Sequence, residues 1–419
     1  MPETPLQWRR YPVAEAAFGP EASYRNGRLT IAAEALRAEL LQDAHFAAVD
    51  LALVGPGERA RIINVVDVVE PRIKPERAVP DYYPGVGTDP FLVGSGPTHV
   101  LAGLCVMTTA LLDQAEDTVV STEPEQVLRS RHADGWILVV SPAPAPGVPN
   151  EEFGRAVLVA GCRAAVAVAR ATLGAEPAET VTLDVTSPST VGPRLGYLCY
   201  LYSHGFGRQK LVYGRESPGL LPTILPLPQL LDGALVDNGH TRSVRNSTYD
   251  LANNAIAYEL AVGHGREHTC AGLVLVPHAT ELRYKAAFAE QAARLAHDVL
   301  RCDGVLISKD GGGQADVDVM EAVAACEALG MRTVAAVAEL AGEAGDQFPV
   351  VTTVEQADAL VSLGNHTEPV QFGPIERVIG GARFGRATAD PHGSFTLPSG
   401  QVPGLTDFTG GTRVRTVVY

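Results

Sequence analysis

Three stretches of the sequence bring together residue types that can do chemistry. SKDGGGQADVD (residues 308–318) sets Lys309 and Asp310 before three glycines and Asp316 just after them. Glycines between a strand and a helix let backbone N–H groups approach an anion, and a helix N-terminus favours a carboxylate or phosphate. The order matches neither GxGxxG nor a Walker loop, since Lys309 precedes the glycines and no Lys-Ser/Thr pair follows. The plain alternative is a turn, with Asp316 and Asp318 placed favourably in the first helical turn. GHGREHTC (263–270) holds His264 and His268 four apart, with Cys270 two further on. Such a pair on one helix can share a metal, but glycines flank His264 and no adjacent carboxylate is an obvious ligand, so hydrogen-bonding histidines without a metal are expected. GALVDNGHTRSVRNSTYD (233–250) contains the turn signal Asn238-Gly239, then His240, then Asn246 and Thr248. Its NST triplet fits a glycosylation pattern, which fails without a secretory leader and leaves a turn with hydroxyl hydrogen bonds.

These stretches need a scaffold. AGLVLV reads as a strand, and the helix after it carries Tyr284, Phe288, Ala292, Leu295 and Val299 at the spacing of one buried face. DGVLIS, the glycine loop, a helix through Val319, Val323 and Cys326 ending at Gly330, and the strand RTVAAVA complete a βαβαβ pattern. In such sheets ligands sit beyond the carboxyl ends of strands, here after Val276 and Ser308. Upstream, WILVV is a strand, and Asn150 is expected to cap an Ala-rich helix that stops at Gly174. The expected fold is α/β: a β-rich N-terminal domain (1–115), a middle α/β domain (116–238), a doubly wound C-terminal α/β domain (239–369) with largely parallel sheets, and a β/Gly-rich extension (370–419) packed on the others.

Composition narrows the function. The 419 residues are 46% hydrophobic, with a formal net charge of −15. An acidic chain without clustered Lys and Arg does not suit nucleic acid or an anionic membrane, and small-molecule substrates follow as the default. The longest apolar run, AVLVAGCRAAVAVARATL, is broken by Arg163 and Arg170 and reads as a buried helix. MPETPLQWRRYPV has no apolar core of a signal peptide, so a cytoplasmic protein is expected. The six cysteines lie far apart, mostly in apolar runs, as reduced core thiols would.

Six segments, taken in series, resemble the substrate-binding component B subunits of glycine, sarcosine and betaine reductases, with the D-proline reductase proprotein as a relative. They are PGERARIINVVDVVEPRIK (56–74), GSGPTHVLAGLCVMTT (94–109), PTILPLPQLLDGALVDN (222–238), RNSTYDLANN (245–254), DGVLISKDGGGQADVDVM (303–320) and ERVIGGARFGRATADPHGSF (376–395). The resemblance implies a proprotein in which an Asn-Cys bond is cut by the cysteine itself, leaving a pyruvoyl group that captures a substrate amine, with a selenol or thiol partner completing reductive C–N cleavage. At the matching position, however, Asn238 is followed by Gly239 and His240, and no cysteine lies between Cys199 and Cys270. Glycine has no side chain for the acyl shift, so the pyruvoyl cofactor is expected to be absent and the chain uncut. Thr241, Ser243 or Ser247 could replace the cysteine only with an activating base.

The resemblance therefore implies a diverged enzyme acting on the C–N bond of a small amino-acid-like or amide substrate. His240, Lys309 and Asp310 are its candidate catalytic groups, with His240 as general acid or base. Arg72, His99, Asn246, Thr248 and Asp316 are candidate substrate-binding groups, Arg72 through paired hydrogen bonds to a carboxylate. Two other readings stand beside it: a non-catalytic binding or scaffold subunit of a reductase-like complex, and a metal-dependent hydrolase using His240, His264 and His268. A homo-oligomer, with a further partner subunit, is the expected assembly.

Overall fold

The N-terminal third contributes strands to four small sheets, two of which are four-stranded and mixed. The computed structural model describes residues 4–75, 83–86, 92–113, 115–127, 130–202, 210–217, 219–237, 246–412 and 415–416. In the first sheet, Leu6–Pro12 runs parallel to Gly96–Ala102 and antiparallel to Glu179–Leu183, and Arg72–Ile73 closes the far edge. The second orders Phe46–Val54, Trp136–Pro144, Leu104–Thr109 and Val65–Val69. Leu104–Thr109 and Val65–Val69 are buried on both faces. Val66, Val69 and Val106 pack on the helix Asn150–Ala169, while Val65, Val68 and Met107 turn into a second core. Asn150 is the first residue of that helix and Pro149 occupies the cap position; the Asn150 side chain instead accepts the Asp113 N–H at 3.0 Å. The helix ends at Ala169, short of Gly174, with a tighter turn through Thr172 between them.

The larger sheet has seven strands in the order Thr223–Leu225, Thr269–Pro277, Arg194–Leu201, Gly304–Ser308, Arg332–Glu339, Leu360–Asn365 and Arg415–Thr416. Its five inner strands are parallel and its two edge strands antiparallel. Strand periodicity sends Leu198, Tyr200, Val274 and Val276 into a core with the helices Leu282–Arg294 and Gln314–Ala328. Tyr197, Cys199, Leu201, Leu273 and Leu275 point the other way, towards Leu227–Leu231 and Ala255–Gly263. The protein is thus an α/β fold with a sheet covered on both faces. Arg194–Leu201 lies inside this sheet, so the sheet draws strands from both sides of residue 239.

One helix differs from its expected register. In Leu282–Arg294 the buried face is Ala289, Ala292 and Ala293, continued by Ala296, whereas Tyr284 and Val299 are exposed. Alanines let this helix approach Gln314–Ala328 closely, and the larger apolar residues fall to its flank. Further on, Val378–Ile379 pairs in parallel with Arg61–Ile63, tying the C-terminal region to the N-terminal sheets. The Arg61 guanidinium, fully buried, lies over Phe372 and Phe395 and bonds to Glu123 and to the carbonyls of Pro391 and Gly393. All six cysteines are buried free thiols. Among the described residues no helix is long and apolar enough to cross a membrane.

Candidate functional site

The carboxyl ends of the parallel strands meet the residues on either side of the 238–245 segment. Asn238, Gly239 and His240, with Thr241 and Ser243, lie outside the described residues. Their neighbours Asp237 and Asn246 are both buried, and one ammonium joins them: Lys210 Nζ donates to Asp237 Oδ1 at 2.7 Å and to the Asn246 carbonyl at 2.8 Å. Lys210 Nζ is also 3.0 Å from Asp310 Oδ2, while Asp310 Oδ1 accepts the Asn246 N–H at 2.8 Å. The Asn246 side chain accepts the Phe408 N–H at 3.0 Å. Thr248 extends the network, because Asp67 accepts its N–H and its hydroxyl at 2.9 and 2.6 Å, and Thr248 Oγ1 accepts the Asp237 N–H at 3.0 Å. Asn246, Thr248 and Asp310 are therefore gathered at one place, and Lys210, Asp237 and Asp67 share it.

Ser247 is committed to local structure. Its hydroxyl donates to Asp250 Oδ2 at 2.8 Å and accepts the Asp250 N–H, while Asp250 Oδ2 also accepts the Ser247 N–H. This reciprocal capping box starts the helix Thr248–Ala252. Burial is the largest influence on Asp250 and works against its ionisation, but Arg131, His132 and the Ser247 hydrogen bonds together outweigh it, so that carboxyl stays below its usual range. Arg131 also reaches Asp407 at 3.3 Å.

Lys309 follows Ser308 at the end of the central strand and is fully buried against Asp316. Burial pushes its ammonium down to about 7, and the Asp316 carboxylate acts in the opposite sense. Asp316 Oδ2 accepts the Val351 N–H at 2.8 Å, so both oxygens of this carboxylate in the first turn of the helix Gln314–Ala328 have partners within the chain. Gly311 and Gly313 have positive φ, and a Cβ on Gly311 would run into the Tyr202 ring, which accounts for two of the three glycines as turn and packing residues. Beside Lys309 lies His366, stacked on Phe408 with ring centroids 4.7 Å apart; burial and the Lys309 charge push its imidazole down to about 3. An amine titrating near neutrality can gain or lose a proton at physiological pH, while the imidazole beside it stays neutral.

The remaining candidates lie in other parts of the fold. Arg72 is fully buried, its guanidinium donating to Glu70 at 3.0 and 2.6 Å, to the Leu231 carbonyl at 2.6 Å and to Asn253 at 2.8 Å, over the Trp8 ring. His99 sits between the Tyr11 hydroxyl at 3.2 Å and Thr172 Oγ1 at 2.9 Å, and burial lowers its pKa to about 4. His264 accepts the Cys270 N–H through Nδ1 and meets the Ser187 carbonyl through Nε2, while His268 Nε2 meets the Leu260 carbonyl. Among the described residues no group of three or more His, Cys, Asp or Glu is arranged to hold a metal ion.

Lys210, Asp67, Asp237 and His366 were not singled out from the sequence. Asp67 had a signal, a lone carboxylate in the fully buried strand Val65–Val69. Lysine usage held another. The chain has four lysines, Lys74, Lys210, Lys285 and Lys309, and each is buried on an aspartate: Asp232, Asp237 with Asp310, Asp318, and Asp316 in turn. Three of the four come together around the carboxyl edge of the large sheet.

Comparison with known proteins covers nearly the whole of this architecture. Residues 5–396 match the family of glycine/sarcosine/betaine reductase component B subunits, and the chain belongs to that family. The glycine reductase complex component B subunits alpha and beta of Peptoclostridium acidaminophilum are 28% identical over 381 residues, 89% of this chain and 88% of that one. From the same organism, the betaine reductase complex component B subunit alpha is 28% identical over 395 residues, 90% of this chain and 87% of that one. The sarcosine reductase complex component B subunit alpha is 26% identical over 376 residues, 88% and 87% of the two chains. No solved structure gave a significant match.

Proposed function

We propose that this member of the component B family is a diverged, reductase-like subunit that stays uncut, carries no pyruvoyl group, and acts on the C–N bond of a small amino-acid-like or amide substrate. The observation that carries the reading is Gly239 directly after Asn238, with no cysteine between Cys199 and Cys270. Self-processing needs a side-chain nucleophile at the residue whose preceding carbonyl is attacked. Glycine has none, so the residues present do not fit a pyruvoyl group at this position. Ser247, the nearest described hydroxyl in sequence, is taken up by the capping box with Asp250.

The groups that remain suit proton transfer and polar binding. His240 is the candidate general acid or base, with Lys309 and Asp310 as further catalytic candidates, and Asn246, Thr248 and Asp316 as candidate binding groups. Arg72 and His99 are kept as binding candidates from the resemblance, although their polar atoms already have partners within the chain. Turnover of small amides and amino acids by the wild type, lost in His240→Ala with the fold retained, supports this assignment. Unchanged turnover removes His240 from it.

A binding subunit without turnover of its own is the second reading, favoured by the relatives, each of which is named as a component of a reductase complex. Ligand binding without turnover by the isolated chain, with turnover only when partner subunits are added, selects it.

A further inference from the structure

Between the strand Val65–Val69, the capped helix Thr248–Ala252 and the segment 400–406 lies a small cavity of about 20 Å³. Its polar lining is Asp67, Ser247, Asp250, His366 and Thr406, set among valines and glycines. One water-sized species needs roughly 10–15 Å³ of such space, so the cavity holds one and not several. His366 is 3% exposed, and its Nε2 has no hydrogen-bond partner among the described residues. Nδ1 lies 3.4 Å from Thr406 Oγ1, and in the tautomer whose Nδ1–H donates to that hydroxyl Nε2 is an acceptor. A buried polar atom without a partner costs about 1–3 kcal/mol, which a guest donating to it offsets.

The walls are rich in acceptors: two carboxylates, two hydroxyls and one imidazole nitrogen. Several of these oxygens already receive hydrogen bonds, from Thr248 to Asp67 and from Ser247 to Asp250. A bare metal ion needs a close shell of free oxygens, and among the described residues no group of three or more His, Cys, Asp or Glu is arranged to supply one, so a guest with N–H donors suits these walls better. The geometry points to an ammonium site: the cavity takes NH4⁺, or the –NH3⁺ end of a small amine, hydrogen-bonded to His366 Nε2 and facing the carboxylates of Asp67 and Asp250, the second of which also pairs with Arg131. This deepens the proposed substrate class, and it rests on that reading only for which amine arrives. Ammonium binding reads the cavity, whereas intact mass reads the junction, so either can fail alone.

The test is thermal unfolding of the full chain in NH4Cl, KCl, NaCl and tetramethylammonium chloride at constant ionic strength, with methylammonium chloride and glycine as further arms. A saturable rise in Tm in NH4Cl alone among the first four is expected, since only that cation both fits and donates N–H bonds. The response is expected to vanish in His366→Phe and to weaken several-fold in Thr406→Val, which keeps the shape but loses the hydroxyl at Nδ1. Competition by methylammonium or glycine identifies the site with the amine end of a substrate; a response to NH4⁺ without that competition identifies it with free ammonium. Equal melting in NH4Cl and KCl, or a response undiminished in both variants, overturns the proposal.

Discussion

Lys210→Met is the sharpest perturbation of the network around the 238–245 segment. The side chains of Lys210 and Asp237 are fully buried and that of Asp310 is 2% exposed. Removing the ammonium leaves two carboxylates and the Asn246 carbonyl without their shared donor. Breaking one buried pair costs about 3–5 kcal/mol, and stranding a second carboxylate favours the upper end of that range. Urea unfolding followed by circular dichroism measures the total. Hydrogen exchange locates it, with faster exchange expected at the Asn246 and Thr248 amides, which Asp310 and Asp67 hold. Adding Asp237→Asn and Asp310→Asn to the variant is expected to recover part of the loss, because the penalty belongs to the unpaired charges and not to the missing lysine. A loss below about 1 kcal/mol, the level of an exposed ion pair, with unchanged exchange at both amides, would refute the idea that Lys210 holds the two ends together.

Other consequences follow from burial. An amine-reactive ester is expected to modify no lysine side chain in the native protein and four after denaturation, counted by peptide mass; rapid native modification of any of them contradicts its burial. Ser247→Ala is expected to cost about 1 kcal/mol through the lost helix cap and to leave the intact mass otherwise unchanged, which urea unfolding and mass spectrometry check. His99, held at about 4, and His132 and His366, held at about 3, are neutral when folded and take up protons near 6.5 when unfolded. Stability is therefore expected to fall as pH drops from about 6.5 towards 4, by about 1.4 kcal/mol per pH unit for each such proton, and His99→Gln should remove one share. Lys309 works at the other end. Its ammonium titrates at about 7 in the fold against 10.5 for the free side chain, so the unfolded chain binds the extra proton and stability rises with pH across that window. A pH titration of stability in Lys309→Met should lack that rise.

Parts of this architecture were legible before folding. The helix Gln314–Ala328 buries Val319, Val323 and Cys326, because branched and apolar residues at helical spacing define its face without ambiguity. Leu282–Arg294 misleads for the opposite reason, since its contact face is alanine, and large residues such as Tyr284 sit beside it. The site divides in the same way. Asn246, Thr248 and Asp310 stand in segments that carry the family resemblance, so position alone drew attention to them. Lys210 lies 27 residues from Asp237 and 100 from Asp310, and no local pattern joins residues so distant. Arg72 was visible as a cation, but Glu70 two residues earlier was its partner, and burial of that pair is a property of the fold and not of the spacing.

On the proposed reading, this member of the component B family keeps its chain whole at the position where the resemblance implies a cut. Intact mass of the purified protein, with a denaturing gel and a carbonyl-reactive hydrazide, tests it directly. A single species near 44.2 kDa that takes up no hydrazide is the expected result. Two fragments divided near residue 240, one of them carrying the hydrazide, would contradict it and return the pyruvoyl-dependent reductase reading to this chain.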